Sequence, residues 1–240
     1  MSLRLFVDQP LAEGEELPLP SAAARHAQVR RVQPGDRLVL FNGRGGEWAA
    51  QVLAMGRQVV TVRVQSYADV QRELPQHVTL AVGMPANERM DWLVEKATEL
   101  GVARIIPLHT ERSVLRLAGE RAQRKREHWQ AVAVAACEQS GRTCLPRIDD
   151  VQPLRDYLAG LPSEPPQEAQ RWMLSLDAQA VVPRPSSGSI IVLSGPEGGF
   201  TSAEEALACQ AGFAIIRLGP RVLRAETAPL AVLACLGLWS

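Results

Sequence analysis

The chain has 240 residues, of which 46% are hydrophobic and 22% charged, the proportions of an ordinary globular protein with a sizeable core. Its 26 basic and 26 acidic side chains give a formal net charge of zero, so any contact with a nucleic acid must come from local clusters. No stretch approaches the roughly 18 uninterrupted apolar residues of a membrane span. Asp8 stands where a signal peptide would continue its apolar region. We therefore expect a cytoplasmic protein without a membrane partner.

The cysteines show neither a C-x-x-C pair nor a closely spaced histidine; they are Cys137, Cys144, Cys209 and Cys235. Zinc sites and disulfide frameworks both need sulfur atoms at characteristic spacings, and this pattern indicates neither. The four histidines are also scattered along the chain. We expect no metal site.

The first 70 residues predict a small, barrel-like β domain. The segment NGRGG at 42–46 is typical of a tight hairpin, and one helix is predicted from Ser21 to Val32. The predicted strands are Leu3 to Val7, Arg37 to Phe41, Trp48 to Leu53 and Val59 to Val64. A polar, aperiodic stretch around residues 67–77 predicts the domain boundary.

Residues 74–240 alternate between predicted strands and predicted helices, which indicates an α/β domain with a largely parallel sheet. The predicted strands are Val78 to Val82, Ala103 to Leu108, Trp172 to Leu176, Ile190 to Leu193 and Ala214 to Leu218. The predicted helices are Glu88 to Leu100, Gly119 to Gln139, Pro153 to Ala159, Ser202 to Ala211 and Thr227 to Leu238.

Two glycine-bearing loops each follow a predicted strand and precede a predicted helix. The first glycine loop is residues 193–200 (LSGPEGGF), and the second glycine loop is residues 218–228 (LGPRVLRAETA). Ligands of open α/β sheets bind outside the carboxyl ends of the strands, so the two loops predict one pocket. Glu197 would repel a phosphate chain, and neither loop carries a Walker or dinucleotide motif. The pocket therefore suits a nucleoside without phosphates.

The two glycine loops, with the segments EKATELGV at 95–102, TERS at 110–113 and EQSGR at 138–142, resemble the 16S ribosomal RNA (uracil-N3) methyltransferase family of the SPOUT superfamily. The similarity covers nearly the whole chain. It implies S-adenosylmethionine-dependent methylation of N3 of a uridine in small-subunit ribosomal RNA; a 30S particle is the expected partner, and the naked RNA stays open as the alternative substrate. It also implies a PUA-like RNA-binding β-barrel, a trefoil-knotted parallel sheet with flanking helices, and a homodimer. One departure is Ala86-Asn87, where the family often has a lysine.

The loops and the resemblance together predict the residues that bind the methyl donor: Leu193, Gly195, Pro196, Glu197, Gly198, Gly199, Leu218, Gly219, Leu223, Glu226, Thr227 and Ala228. Methylation at N3 needs stabilisation of negative charge on the uracil oxygens, and no cysteine nucleophile. Arg224 and Arg221 have suitable donor groups, and Arg224 is the predicted catalytic residue. Glu197 or Glu226 could orient the donor or pair with these arginines, and no general base is assigned.

Basic side chains in both predicted domains are candidates for phosphate contacts. One cluster lies on the first helix, and a second runs from Arg112 to Arg126. The predicted RNA-binding residues are Arg25, Arg30, Arg31, Arg112, Arg116, Arg121, Arg124, Lys125 and Arg142. The alternative for any one of them is a solvated position on a helix surface.

Two other functions and one structural question remain open from the sequence. The first rival function is an RNA-binding ribosome-assembly protein without methyl transfer. The second is a nucleotide-binding α/β enzyme whose glycine-rich loop holds a phosphate, against which Glu197 and the absence of a Lys-Ser/Thr pair argue. The carboxyl-terminal segment 227–239 is almost wholly apolar, which predicts either a dimer contact or a helix buried within one chain.

Overall fold

The computed structural model describes residues 2–57, 59–176, 183 and 188–239, without the side chain of Asn87. The chain divides into two compact units. The first unit contains residues 1–73 and 134–145, and the second contains 74–133 and 146–240. None of the helices within the described residues is long and apolar enough to cross a membrane.

The first unit is built on a five-stranded mixed sheet with the strand order β1-β3-β4-β5-β2. Its elements are β1 (Leu3–Phe6), β2 (Glu16–Pro18), α1 (Ser21–Val29), β3 (Arg37–Phe41), β4 (Glu47–Met55) and β5 (Val60–Ala68). Register shifts between β4 and β5 mark bulges, which increase the local twist of the sheet. The inward-facing side chains of the strands and of α1 form one core, which includes Leu5, Leu38 and Val62.

The second unit is built on a parallel sheet of seven strands. Its elements are β6 (His77–Gly83), α2 (Asn87–Glu99), β7 (Arg104–His109), α3 (Gly119–Ser140), β8 (Arg147–Ile148), β9 (Gln152–Pro153), α4 (Leu154–Ala159), β10 (Ala169–Leu174), β11 (Ser189–Ser194), α5 (Ser202–Gln210), β12 (Ala214–Ile216) and α6 (Thr227–Leu238). The last residues of α3, from 134 onward, belong to the first unit.

The strand order of the parallel sheet is β12-β10-β11-β6-β7-β8, with β9 paired to β7. Every strand pair in this sheet is parallel, so all the strands end at the same edge. β6 is buried from its second residue to its last, as expected for a central strand covered on both faces. α6 packs against α2 and β11, and α4 packs against α5. The predicted parallel α/β sheet with flanking helices is confirmed.

Two helix ends show how the chain leaves a helix. Gly101 follows α2 with a φ of 94°, and the amide of Val102 donates to the carbonyl of Ala97 at 3.0 Å. α1 ends in the same way, but Arg31 occupies the left-handed position with a φ of 57°. The helix predicted to reach Val32 therefore ends at Val29, three residues earlier.

Candidate functional site

A cavity of about 340 Å³ lies where three neighbouring strands of the parallel sheet end. β11 leads into the first glycine loop, and β12 leads into the second. Since β10 lies between these strands, its end at Leu174–Leu176 lines the cavity between the two loops. The structure thus brings the two glycine loops together, as the sequence predicted.

The first glycine loop packs closely against its neighbours. A Cβ atom added at Gly83, the last residue of β6, would lie 2.6 Å from Cδ of Pro196. A Cβ atom at Gly198 would lie 3.0 Å from Cβ of Arg112. Both glycines are therefore needed for close approach rather than for an unusual φ.

Arg112, a predicted RNA contact, is exposed and also supports the cavity wall. Its Nη1 donates to the carbonyl oxygens of Gly198 at 2.9 Å and of Phe200 at 3.1 Å. Arg112 lies between Thr110 and Ser113, whose hydroxyl groups are 2.8 Å apart in a buried pair. The TERS segment therefore holds the first glycine loop in place.

Glu197 connects the first glycine loop to the start of α2. Its Oε1 accepts hydrogen bonds from the amide of Ala86 at 3.1 Å and from Nη1 of Arg89 at 3.3 Å. No side chain caps α2 from within its own segment, so Glu197 satisfies one of the amides at that helix end. Nε of Arg89 also lies 3.9 Å from Oε1 of Glu226. Arg89 therefore contacts a carboxylate from each glycine loop.

Most of the predicted donor-binding residues line this cavity: Gly195, Pro196, Glu197, Gly198, Gly199, Leu218, Gly219, Leu223 and Ala228. Three do not. Leu193 is fully buried in the hydrophobic core, because the strand has not yet ended there. Thr227 starts α6, and its amide donates to the carbonyl of Arg224 at 2.9 Å. Glu226 is buried, and its Oε2 has no hydrogen-bond partner among the described residues.

Sequence reasoning missed several residues that line the cavity: Leu174, Ser175, Leu176, Phe200, Glu205, Ile216, Arg217, Val222 and Ala225. Ligands of open α/β sheets bind at strand ends, but this rule alone does not say that the end of β10 is one of those that line the cavity. The sequence does not reveal that β10 lies between β11 and β12. Arg221 lines the cavity, whereas the predicted catalytic residue Arg224 is exposed and lies outside the lining.

The remaining predicted RNA-binding residues differ in how available they are. Arg121, Arg116 and Arg124 are exposed, and Arg124 pairs with Glu120 at 2.9 Å. Lys125 lies 3.6 Å from Asp91. The predicted RNA-binding residues Arg25, Arg30 and Arg31 of the first unit are all exposed.

Arg142 does not fit the predicted RNA-binding role. Its side chain is only 5% exposed, and it forms a salt bridge with Glu73 within the first unit. Burying a guanidinium group is tolerated only when its charge is paired, which the Glu73 carboxylate provides. The side chain is therefore a structural element of the first unit and is closed off from phosphate groups.

The site offers hydrogen-bonding groups and apolar surface but little that could act as a nucleophile. Within the described residues, no three His, Cys, Asp or Glu side chains are arranged to hold a metal ion. None of the four cysteines lines the cavity, and burial raises the pKa of Cys137 to about 12, which makes it a poor nucleophile at neutral pH. Such a cavity can hold and orient a nucleoside-like molecule.

Comparison with known proteins agrees with this geometry. Residues 72–237 match the family model of an RNA methyltransferase domain, and residues 19–65 match that of an RNA methyltransferase PUA domain. The chain is 30% identical to ribosomal RNA small subunit methyltransferase E of Bacillus subtilis, over 97% of this chain and 95% of that protein. It is 33% identical to the protein of the same name from Synechocystis, over 98% of this chain and 77% of that protein.

A solved structure is similar over the whole chain. It is ribosomal RNA small subunit methyltransferase E from Neisseria gonorrhoeae bound to S-adenosylmethionine, which is 32% identical and has a TM-score of 0.91. The match covers 100% of this chain and 98% of that one. The chain therefore belongs to the RNA methyltransferase family that includes these small-subunit ribosomal RNA methyltransferases.

Proposed function

We propose that this protein transfers the methyl group of S-adenosylmethionine to N3 of a uridine in small-subunit ribosomal RNA. The observation that carries the proposal is the cavity between the two glycine loops, at the edge where β10, β11 and β12 end. Its volume of about 340 Å³ falls in the range of small-molecule sites, roughly 300–1,000 Å³. The similar Neisseria gonorrhoeae enzyme is bound to S-adenosylmethionine.

The residues present fit the methyl donor. Leu174, Leu218 and Leu223 supply apolar surface for an adenine ring, and the loop backbones supply hydrogen-bonding groups. Glu197 adds a carboxylate at the cavity wall, which suits the positive charge of the donor better than it would suit a phosphate. The fit supports the donor-binding residues proposed from the sequence. Glu226 and Thr227 do not line the cavity themselves, but each is adjacent in sequence to a residue that does, Ala225 and Ala228.

S-adenosylmethionine supplies a methyl group activated by its sulfonium, and N3 of uracil must lose its proton as the new bond forms. We assign the protein three tasks: holding the two reactants in line, stabilising negative charge on the uracil oxygens, and excluding water. Arg224 is exposed beside the cavity-lining Leu223 and Ala225, and is free to meet an incoming base. We keep Arg224 as the proposed catalytic residue and assign no general base.

The function is tested with 30S subunits and naked small-subunit ribosomal RNA from cells that lack the protein. Incubation with the protein and the donor is expected to produce 3-methyluridine, detected by mass spectrometry of the nucleosides. Comparison of the two substrates identifies the form of RNA that is used. An RNA-binding assembly protein would bind the RNA and leave its nucleosides unchanged, which would refute the proposal.

In the same assay Arg224→Ala is expected to lower the single-turnover rate by roughly 10²-fold, the cost of losing one charge-stabilising donor. Donor affinity measured by calorimetry should stay unchanged. Arg147→Ala is the matched control, because this arginine is also exposed but lies on β8, at the other edge of the sheet. A near-normal rate for Arg224→Ala would remove its catalytic assignment.

Gly198→Val is expected to abolish donor binding. A side chain at this position would press on Arg112, since even a Cβ atom would approach its Cβ to 3.0 Å, and the loop would have to move. Gly35→Ala is the comparison, because this glycine lies in the first unit, no described atom lies within 4 Å of its added Cβ, and the cost is confined to the backbone strain of a φ of 94°. Calorimetry with S-adenosylmethionine measures both variants. Unchanged affinity in Gly198→Val would show that the donor binds elsewhere.

We further propose that residues 1–70 form a PUA-like RNA-binding domain and that residues 74–240 carry out methyl transfer. The match of residues 19–65 to a PUA domain supports this division. The exposed Arg25 lies on α1, the exposed Arg30 and Arg31 follow its last residue, and Arg116, Arg121 and Arg124 lie before and on α3. We assign phosphate contacts to both clusters.

Charge reversal is the test of these clusters. Arg30→Glu and Arg121→Glu are each expected to flatten the dependence of log affinity for small-subunit ribosomal RNA on log salt, by roughly one unit for each phosphate that the side chain neutralised. The measurement is filter binding at several salt concentrations. An unaltered slope would mean that the reversed arginine is simply solvated.

We also propose that the protein is a homodimer formed through α6. One side of this helix packs on β11 and α2, and buries Leu230, Val232 and Leu233. Its end is not covered, since Leu238 is 84% exposed and Trp239 is 43% exposed. Trp92 on α2, the helix that packs against α6, is 44% exposed. Large apolar side chains that are exposed together usually mark an interface. A two-fold contact would also place the basic residues of two chains on one assembly.

Sedimentation equilibrium at micromolar concentration is expected to give twice the 26.2 kDa of one chain. Leu238→Asp should shift the protein toward the monomer, because it places a charge in the proposed interface. Val59→Asp, at a position that is 51% exposed in the first unit, is the control and should leave the mass unchanged. A mass of one chain over the whole concentration range would reject the dimer.

A further inference from the structure

A second and larger cavity, of about 870 Å³, opens at the same edge of the parallel sheet. It is lined by His109 at the end of β7, by the segment that leads into α3, and by the first residues of α4 and α5. We call it the β7 groove. None of the predicted donor-binding residues lines it. Of the predicted RNA-binding residues, only Arg116 does.

The β7 groove lies beside the donor cavity. Glu111 lines the groove, and the next residue, Arg112, lines the donor cavity. The same division occurs on α5, where Glu204 faces the groove and Glu205 faces the donor cavity. A polymer that places one unit at the donor cavity can therefore place a neighbouring unit in the groove.

The groove combines apolar walls with cations at its opening. Leu117 and Leu154 are buried side chains in its wall. Arg155 is exposed, and Nη2 of the exposed Arg116 donates to the carbonyl of Glu111 at 3.0 Å. Apolar surface for a base next to guanidinium groups for a phosphate is the pairing that single-stranded nucleic acid requires.

His109 adds one ring nitrogen that the described part of the chain leaves without a hydrogen-bond partner. Its Nε2 lies 2.7 Å from the carbonyl oxygen of Leu117, which can only accept, so Nε2 carries the hydrogen. In the neutral ring Nδ1 is then an acceptor. Nδ1 is buried and has no hydrogen-bond partner among the described residues. A bound molecule that donates a hydrogen bond would satisfy this nitrogen.

The groove also contains two carboxylates, those of Glu111 and Glu204, which differ in how strongly they oppose the positive charge of Arg116 and Arg155. The carboxylate of Glu204 is buried and already accepts hydrogen bonds from the amides of Glu111 at 2.8 Å and Thr201 at 2.9 Å. Its charge is thus offset by the amino-terminal end of α5. Glu111 is exposed at the rim, where its carboxylate would oppose a phosphate.

We propose that the β7 groove binds a nucleotide of the RNA strand that flanks the methylated uridine. This inference rests on the proposed function. The base of that nucleotide packs against Leu117 and Leu154, and its phosphate contacts Arg155 and Arg116. Nδ1 of His109, which is buried in the structure, accepts from a 2′-hydroxyl or from an N–H of the base after the ring turns toward the groove. The 2′-hydroxyl is the group that distinguishes RNA from DNA.

The first test is filter binding of small-subunit ribosomal RNA transcribed in vitro, at several salt concentrations. Arg155→Ala is expected to reduce the slope of log affinity against log salt by about 0.7–0.9, the value for one phosphate contact. Glu111→Gln should raise the affinity for the RNA, because it removes a carboxylate that opposes the phosphate. Arg147→Ala is the matched control. Calorimetric affinity for S-adenosylmethionine should be unchanged in all three variants, which separates the groove from the donor cavity.

The second test locates the RNA directly. RNA containing 4-thiouridine is cross-linked to the wild-type protein by light, and the attached peptides are identified by mass spectrometry. Cross-links within residues 109–118 or 153–160 support the proposal. Cross-links confined to other segments, or an Arg155→Ala slope equal to that of Arg147→Ala, would overturn it. The proposed function, and this inference with it, would be overturned if the wild-type protein did not bind this RNA. The same holds if it methylated small-subunit ribosomal RNA neither as naked RNA nor in 30S subunits.

Discussion

The close packing of the first glycine loop on the end of β6 is the constraint on which the rest of the site depends. β6 and β11 are adjacent parallel strands, so the chain that leaves β11 must turn beside the end of β6. Pro196 passes so near Gly83 that no side chain fits there. This position brings Glu197 to the amide of Ala86 and to Arg89, and Arg89 reaches Glu226 in the second loop. One backbone approach thereby positions both loops and α2.

The sequence predicted the elements better than their arrangement. The strands and helices of the parallel sheet were predictable because their apolar periodicity is strong. A glycine, Gly101, takes the left-handed position after α2, whereas α1 ends at Val29 and Arg31 takes the corresponding position, which no sequence pattern marks. The short strands β8 and β9 were missed because two residues show no periodicity. The placement of β10 between β11 and β12 depends on topology, so Leu174–Leu176 could not be assigned to the cavity.

The arginines show where local pattern stops being informative. Arg112 and Arg142 lie in segments that resemble family motifs, and both were predicted to contact RNA. Arg112 is exposed but already donates to two carbonyls of the first glycine loop, and Arg142 is buried against Glu73. A guanidinium group donates to carbonyl, carboxylate and phosphate oxygens alike, so residue type alone cannot decide its partner. Burial and the neighbouring fold decide it.

The two glycine loops are held unequally, and this asymmetry bears on catalysis. The first loop is fixed by Arg112, by the amide of Ala86 and by Arg89 at 3.3 Å. Within the described residues, Nε of Arg89 lies 3.9 Å from Glu226 of the second loop, and the other carboxylate oxygen of Glu226 is buried without a hydrogen-bond partner. A preorganised wall loses little freedom on binding, whereas a loosely held one must be ordered at a cost in affinity. The proposed catalytic Arg224 lies on the second loop, so part of the free energy of binding the reactants is needed to bring it into position.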